Sequence, residues 1–338
     1  MEWALRDYGN RTQAIWDGNP NCKHEWGKEI IRKQSGGTKK SNITNFVDDR
    51  IHFKNRSSFC KKCKAWRGQL GLEPAFDLYI KHLCDIFDEV KRVLKFTGTC
   101  WVNLGDTYSG SGCGTNDYRT EASKSIQGIG KNIRLYKTGG IAQKIKEVPA
   151  KSLCLIPFRF AIEMVNRGWT LRNVIIWHKP NCMPSSVKDR FTVDFEYIFF
   201  FVKNKKYRFE TQYESWKDKN KHDIERAGKF IKYEGKHKDD SGNKGVVVGN
   251  PLQGRNKRCV WTVPTKPFSE AHFATYPPRL CETPIKSGCP QNGIVLDPFM
   301  GGGTTGLAAN KLGVNFIGIE VNPRYIEMAR KRMGQISK

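Results

Sequence analysis

The sequence predicts an α/β protein with a doubly wound, mostly parallel sheet, because candidate buried strands alternate with stretches of helical periodicity. Apolar residues recur at three- and four-residue spacing over residues 74–95, which indicates an amphipathic helix leading into a strand at 99–104. Near the carboxyl end, the apolar run 294–296 precedes a glycine-rich turn and a helix-like stretch, and residues 316–320 predict the next strand. Strand, glycine turn, helix and strand in this order are typical of a nucleotide-type cofactor site.

The remaining elements continue the alternation. The sequence predicts a helix at about 152–167, strands near 170–177 and 195–203, and a final helix near 322–333. Residues 109–150 are rich in Gly, Ser, Thr and Lys and predict a surface loop. The chain therefore divides into four segments, which are a loop-rich segment with a candidate metal clip (1–73), α/β elements (74–203), a basic insertion (204–258) and a terminal αβ unit (259–338).

The charge of the chain favours a polyanionic partner. Its 338 residues include 58 basic and 33 acidic side chains, a net charge of +25, which is typical of proteins that bind nucleic acid. Residues 203–258 alone hold 16 basic and 8 acidic residues. Six aromatic side chains lie among these charges, namely Tyr207, Phe209, Tyr213, Trp216, Phe230 and Tyr233. This mixture suits phosphate contact with base stacking, and the alternative is a solvated insertion with its own apolar cluster.

The composition also bears on the compartment. The longest apolar stretch, residues 197–202, is too short to span a bilayer, and no secretion signal is recognisable. The sequence therefore predicts a cytoplasmic protein without a membrane partner. Eleven cysteines in such a chain indicate thiols or metal ligands in place of disulfides.

Two tight pairs of metal-ligand residues precede the first long helix. Cys22 and His24 form a C-x-H pair, which is a weak half-site, whereas Cys60 and Cys63 form a C-x-x-C pair, which is a strong one. Together they predict a tetrahedral structural zinc site, and four protein ligands would leave no open position for catalysis. Because 35 residues separate the pairs, free thiols in a reducing cytosol remain the alternative.

The turn at residues 297–305 reads Asp-Pro-Phe-Met-Gly-Gly-Gly-Thr-Thr. Glycine lets the backbone turn tightly and approach a ligand, because it carries no Cβ. Glu320 ends the following strand, where folds of this kind hold ribose hydroxyls. A bare glycine turn can also merely pack a helix on a sheet. The Asp-Pro-Phe lead-in disfavours the Gly-x-Gly-x-x-Gly arrangement of nicotinamide enzymes.

Taken together, these features resemble the permuted β-type DNA amino-methyltransferases. In that family the catalytic half precedes a target-recognition region, and the half that binds S-adenosylmethionine comes last. The matching segments are 3–9, 60–73, 103–108, 177–190, 260–277 and 297–330. The resemblance implies a Rossmann-like, circularly permuted methyltransferase sheet, S-adenosylmethionine as cofactor, double-stranded DNA as substrate and transfer to cytosine N4 or adenine N6. It also suggests a restriction endonuclease partner, while a DNA-binding remnant or subunit without chemistry is the alternative.

The resemblance assigns the cofactor residues position by position. The family's glycine loop falls on residues 297–305, its ribose acid on Glu320, and its segment beside the methionine end on 272–275. Asn103 and Asp106 would line the cofactor and target pocket from the neighbouring strand. The predicted cofactor-binding residues are thus Asp297, Phe299, Gly301, Gly303, Thr304, Glu320, Asn103, Asp106, Phe273 and Thr275.

One family motif has no counterpart in the sequence. Family members carry Ser- or Asp-Pro-Pro-Tyr just before the stretch that matches residues 3–9, and here only Met1 and Glu2 precede Trp3. In the family, that tetrad accepts hydrogen bonds from the target amine and stacks on the flipped base. Because this sequence has no such tetrad, no catalytic residue is assigned. The resulting expectation is a truncated, inactive chain or a start downstream of the functional one, with a sheet that lacks a central and an edge strand.

Overall fold

The computed structural model describes residues 12–33, 54–109, 148–185, 187–215, 254–265 and 276–334. The helices are α1 (Phe76–Val93), α2 (Ile156–Asn166), α3 (Pro278–Gly288), α4 (Thr304–Lys311) and α5 (Pro323–Gly334). The strands are β1 (Ala14–Trp16), β2 (Ile30–Lys33), β3 (Lys54–Phe59), β4 (Trp66–Gly68), β5 (Thr99–Leu104), β6 (Thr170–His178), β7 (Phe195–Val202), β8 (Tyr213–Glu214), β9 (Arg255–Asn256), β10 (Val260–Thr262), β11 (Ile294–Asp297) and β12 (Asn315–Gly318). Across these ranges, no helix has the length and apolar character needed to cross a bilayer.

Helix α1 forms where its apolar spacing predicts it. Its buried face includes Phe76, Leu83 and Phe87, which recur at helical spacing. Lys91 and Arg92 in the last turn complement the helix dipole. The buried face packs against α2 and one side of β5 and β7 to make the largest core cluster of the described residues.

The main sheet has the strand order β10-β6-β7-β5. β10 runs parallel to β6, whereas β7 runs antiparallel to both β6 and β5, so the sheet is mixed and β7 alone among its described strands departs from the predicted parallel direction. The reason lies in the connection from β6 to β7, which contains no crossover helix among its described residues. Parallel neighbours need such a crossover, whereas a returning chain pairs antiparallel.

Strand β7 is buried on both faces, which explains its run of apolar residues. Phe199 and Phe201 face the core cluster under α1 and α2. Ile198 and Phe200 face a second cluster that includes Trp177 of β6. The aromatic run of β7 therefore fills the layers on both sides of the main sheet.

The carboxyl-terminal unit forms its own parallel pair, β11 and β12, with α4 connecting them. Within the described residues, β11 and β5 each have one edge without a hydrogen-bonded strand. The expectation that a central and an edge strand are missing stays a prediction.

The described part of the amino-terminal segment contains an antiparallel sheet of order β1-β4-β3-β2. The sequence predicted a loop-rich segment and did not predict these strands. Periodicity did not reveal these strands because they have only three to six residues each. β3 reads Lys-Asn-Arg-Ser-Ser-Phe and shows no apolar alternation.

A buried histidine of α1 joins this small sheet to the rest of the fold. The imidazole of His82 stacks between the rings of Trp16 and Trp66, with centroid distances of 4.8 and 5.4 Å. Its Nδ1 lies 3.1 Å from Glu73 Oε1, and its Nε2 lies 3.2 Å from Asp17 Oδ2. His82 and Glu73 are fully buried, whereas the Asp17 side chain is 30% exposed, so each ring nitrogen has a carboxylate partner at the edge of the core.

Candidate cofactor site

The glycine turn is organised around the carboxylate of Asp297, the last residue of β11. Asp297 Oδ1 accepts the N–H of Phe299 at 2.9 Å, and Oδ2 accepts the hydroxyl of Thr305 at 2.6 Å. The hydroxyl of Tyr276 donates to the same Oδ2 at 3.2 Å. Burial, with the negative charge of Asp297, raises the pKa of Tyr276 well above its usual value, so this phenol stays protonated as a donor. Asp297 thus fixes the start and the end of the turn.

The turn requires glycine at two positions with left-handed backbone. Gly301 has φ 53° and Gly303 has φ 78°, a region that side chains with a Cβ rarely adopt. A Cβ on Gly303 would also lie 2.9 Å from the Cβ of Ala329 on α5. The turn can therefore pack under α5 only when residue 303 has no side chain.

The Gly303→Ala variant should have a free energy of unfolding about 2–4 kcal/mol lower than that of the native chain. Strain in the left-handed backbone and the close contact with Ala329 both contribute to the loss. Gly313→Ala is the matched control, since Gly313 also has positive φ but an added Cβ there would meet nothing within 4 Å. Urea unfolding of both variants measures the difference. Equal losses would mean that the close approach to α5 contributes nothing.

Glu320 follows β12 and turns its carboxylate back towards the glycines. Its Oε2 accepts the N–H of Gly301 at 2.9 Å, and its Oε1 accepts the N–H of Asn322 at 2.7 Å. These bonds orient the carboxylate and leave further lone pairs on both oxygens. Because Glu320 is only half-buried, those lone pairs can accept the vicinal hydroxyls of a ribose. The donor and acceptor set therefore fits the nucleoside end of S-adenosylmethionine.

Two predicted cofactor residues in this unit have packing roles in the structure. Thr304 is buried at the first turn of α4, where Arg332 of α5 donates to the carbonyl of Gly302 and lies 3.5 Å from the Thr304 hydroxyl. Phe299 packs on the core cluster of the main sheet, with its ring 6.4 Å from that of Phe87. Phe299 thus links the glycine turn to the half of the fold that contains β5.

Asn103 and Asp106 lie at the carboxyl end of β5, as predicted, and each is engaged with that half of the fold. Asn103 Nδ2 donates to the carbonyl of Tyr197 at 3.0 Å. The Asp106 carboxylate accepts the N–H groups of Leu155 and Ile156, each at 3.1 Å, and so caps the start of α2. Burial raises the pKa of Asp106, although these N–H groups act against the shift.

Sequence reasoning placed Thr305 in the glycine loop but did not predict that Thr305 and Tyr276 would contact the Asp297 carboxylate. The hydroxyl oxygens of Tyr276 and Thr305 lie 2.6 Å apart and both lie within hydrogen-bond distance of Asp297 Oδ2, yet the two residues are 29 apart in the chain. The only sequence signal for them is that a carboxylate ending a buried strand needs donors. The predicted residues Phe273 and Thr275 lie outside the described residues.

Comparison with known proteins identifies the family of the chain. Residues 30–331 match the family model described as DNA methylase. The chain is 35% identical over 267 residues to the type II methyltransferase M.SmaI of Serratia marcescens, covering 79% of this chain and 77% of the relative. The chain belongs to this DNA methylase family. This DNA methylase is also 36% identical over 265 residues to M.Cfr9I of Citrobacter freundii, covering 78% and 74% of the two chains.

Among solved structures, the PvuII DNA methyltransferase, described as cytosine-N4-specific, matches this DNA methylase with a TM-score of 0.48 and 18% identity. The match covers 76% of this chain and 71% of that one. Membership in the family makes this protein a DNA amino-methyltransferase, and its cofactor is S-adenosylmethionine.

Proposed function

We propose that this DNA methylase binds S-adenosylmethionine between the glycine turn and Glu320, and methylates an exocyclic amine of cytosine or adenine at a specific site in double-stranded DNA. The observation that carries the proposal is the Glu320 carboxylate, held by the backbone N–H of Gly301 with acceptor capacity to spare. When bound, the cofactor supplies an electrophilic methyl group on its sulfonium. The protein holds the nucleoside end through Glu320, and the left-handed glycines leave room beside it.

DNA binding is proposed for the basic insertion. The described part of that insertion includes a short antiparallel pair, β8 and β9. Arg255 of β9 and Arg258, two residues after β9, both donate to Glu214, at 2.8 and 2.6 Å. Tyr207 and Phe209 pack on Phe200 of the main sheet. The alternative of an apolar cluster therefore fits these two aromatics better than base stacking does. Trp216, Phe230 and Tyr233 lie outside the described residues.

The full chain, incubated with unmethylated DNA and tritiated S-adenosylmethionine, should transfer label to the DNA. Digestion of the product to nucleosides and mass spectrometry then distinguishes N4-methylcytosine from N6-methyladenine. Calorimetry with S-adenosylmethionine alone measures cofactor binding independently of chemistry.

The two measurements together separate the candidate functions. Cofactor binding and DNA binding without transfer would support the alternative of a non-catalytic subunit. Failure to bind S-adenosylmethionine would contradict the proposed cofactor site itself. A restriction endonuclease partner and a cytoplasmic location stay predictions.

A further inference from the structure

Four metal-ligand side chains converge beside the amino-terminal sheet, far along the chain from the cofactor turn. They are Cys22, His24, Cys60 and Cys63, and their ligand atoms all lie within 4.8 Å of one another. Cys22 and His24 follow β1, whereas Cys60 and Cys63 lie in the turn between β3 and β4. The fold therefore closes a separation of 38 residues between Cys22 and Cys60.

Two of the distances between ligand atoms match a tetrahedral metal site. Cys22 Sγ lies 4.0 Å from Cys60 Sγ, and Cys63 Sγ lies 3.4 Å from His24 Nδ1. Ligands on one tetrahedral zinc ion would be separated by about 3.8 Å for two sulfurs and about 3.6 Å for sulfur and nitrogen. A disulfide is excluded because its sulfurs would be about 2.05 Å apart.

Backbone hydrogen bonds and a close approach by Gly18 fix the C-x-x-C turn that carries Cys60 and Cys63. The N–H of Lys64 donates to the carbonyl of Cys60 at 3.0 Å, a turn that brings the two cysteines of the C-x-x-C pair to one side. The Cys60 N–H donates to the carbonyl of Ala65 at 2.7 Å, which closes the turn. Gly18 approaches so closely that a Cβ there would lie 2.8 Å from the Cys63 sulfur.

The surroundings of the cluster fit a bound cation with thiolate ligands. Three thiolates and one neutral imidazole around a divalent ion carry a net charge of −1. Lys62 and Lys64 lie in or beside the same turn and carry the opposite charge, whereas Lys61 pairs with Glu25 at 3.0 Å. Soft sulfur with imidazole in a closed tetrahedral set selects zinc over magnesium or calcium, which prefer oxygen ligands.

We propose that Cys22, His24, Cys60 and Cys63 bind one structural zinc ion. The ion joins the segment after β1 to the turn between β3 and β4, and so holds together the sheet that presents Asp17 to His82 of α1. Four protein ligands leave no position for substrate, so the ion acts on folding and not on methyl transfer. The site is independent of the proposed function, because none of its ligands belongs to the cofactor turn.

Metal analysis of the purified full chain tests the proposal. The protein should carry about one zinc per chain, and Cys63→Ser should carry less than about a tenth of that. His24→Cys preserves four ligands and should retain the ion. Cys182→Ser is the matched control, since Cys182 is also a free, half-buried cysteine but lies outside the cluster.

A second measurement keeps the proposal testable if Cys63→Ser does not fold. In the native protein, alkylation followed by mass spectrometry should leave Cys22 and Cys63 unmodified until a chelator is added, while the exposed Cys259 reacts at once. Less than about half an equivalent of zinc in folded protein would overturn the proposal. Alkylation of Cys63 at the rate of Cys259 without chelator would overturn it as well.

Discussion

The Glu320→Ala variant is expected to bind S-adenosylmethionine about 10- to 100-fold more weakly than the native chain, because each hydrogen bond to a charged group contributes about 1.5–3 kcal/mol. The Glu320 carboxylate is oriented by the N–H groups of Gly301 and Asn322, so its free lone pairs are already directed before the cofactor arrives. Preorganisation of this kind avoids an ordering cost on binding. Isothermal calorimetry measures the loss.

Two further variants separate binding from folding. Glu320→Gln keeps the size of the side chain and one side-chain oxygen that can accept a backbone N–H. It should therefore lose less affinity for the cofactor than Glu320→Ala. Glu89→Ala removes an exposed glutamate of α1 that pairs only with its own helix neighbour Arg92 at 2.7 Å, and should bind the cofactor normally. Unchanged affinity in Glu320→Ala would place the ribose elsewhere and contradict the proposed site.

The His82→Ala variant is expected to lower the free energy of unfolding by about 3–5 kcal/mol, the range for truncating a fully buried ring to alanine. Its imidazole is fully buried between two tryptophans, and its loss would leave the buried Glu73 carboxylate without this partner. Removal of the imidazole ring would open a cavity between Trp16 and Trp66. Urea unfolding monitored by tryptophan fluorescence reports both effects.

His178→Ala provides the control for this prediction. His178 also lies near a carboxylate, with its Nε2 3.6 Å from Asp194, but its side chain is 36% exposed and its partner 47%. Partly exposed pairs of this kind contribute about 0–1 kcal/mol. If both histidine variants were equally stable, the His82 network would not be what attaches the amino-terminal sheet to α1.

Much of the fold could be predicted because the relevant signals are local. The spacing of Phe76, Leu83 and Phe87 predicts α1, and the structure confirms it. The glycine turn and Glu320 were recognisable because a strand, a turn and a second strand follow one another within one short stretch. Positive φ at Gly301 and Gly303 confirms why glycine is needed in that turn.

Other features depended on distant parts of the chain. The direction of β7 follows from the path between β6 and β7, and alternation of apolar residues carries no information about strand direction. The strands of the amino-terminal sheet are short and polar, so their order comes from pairing and from His82 packed beneath them. Only the structure shows that Asp106 caps α2, and its role in the pocket stays a prediction.

The sequence by itself determined the glycine turn between two strands, with Glu320 after the second strand, because the backbone angles allowed in a tight turn depend on the residues of that turn alone. It also determined the four candidate metal ligands by their types and spacing. Only the tertiary structure decided that Tyr276 and Thr305 hold Asp297, and that Cys22 and His24 meet Cys60 and Cys63. Contacts between residues so far apart in the chain arise from burial and hydrogen-bond satisfaction across the whole fold, which no local pattern records.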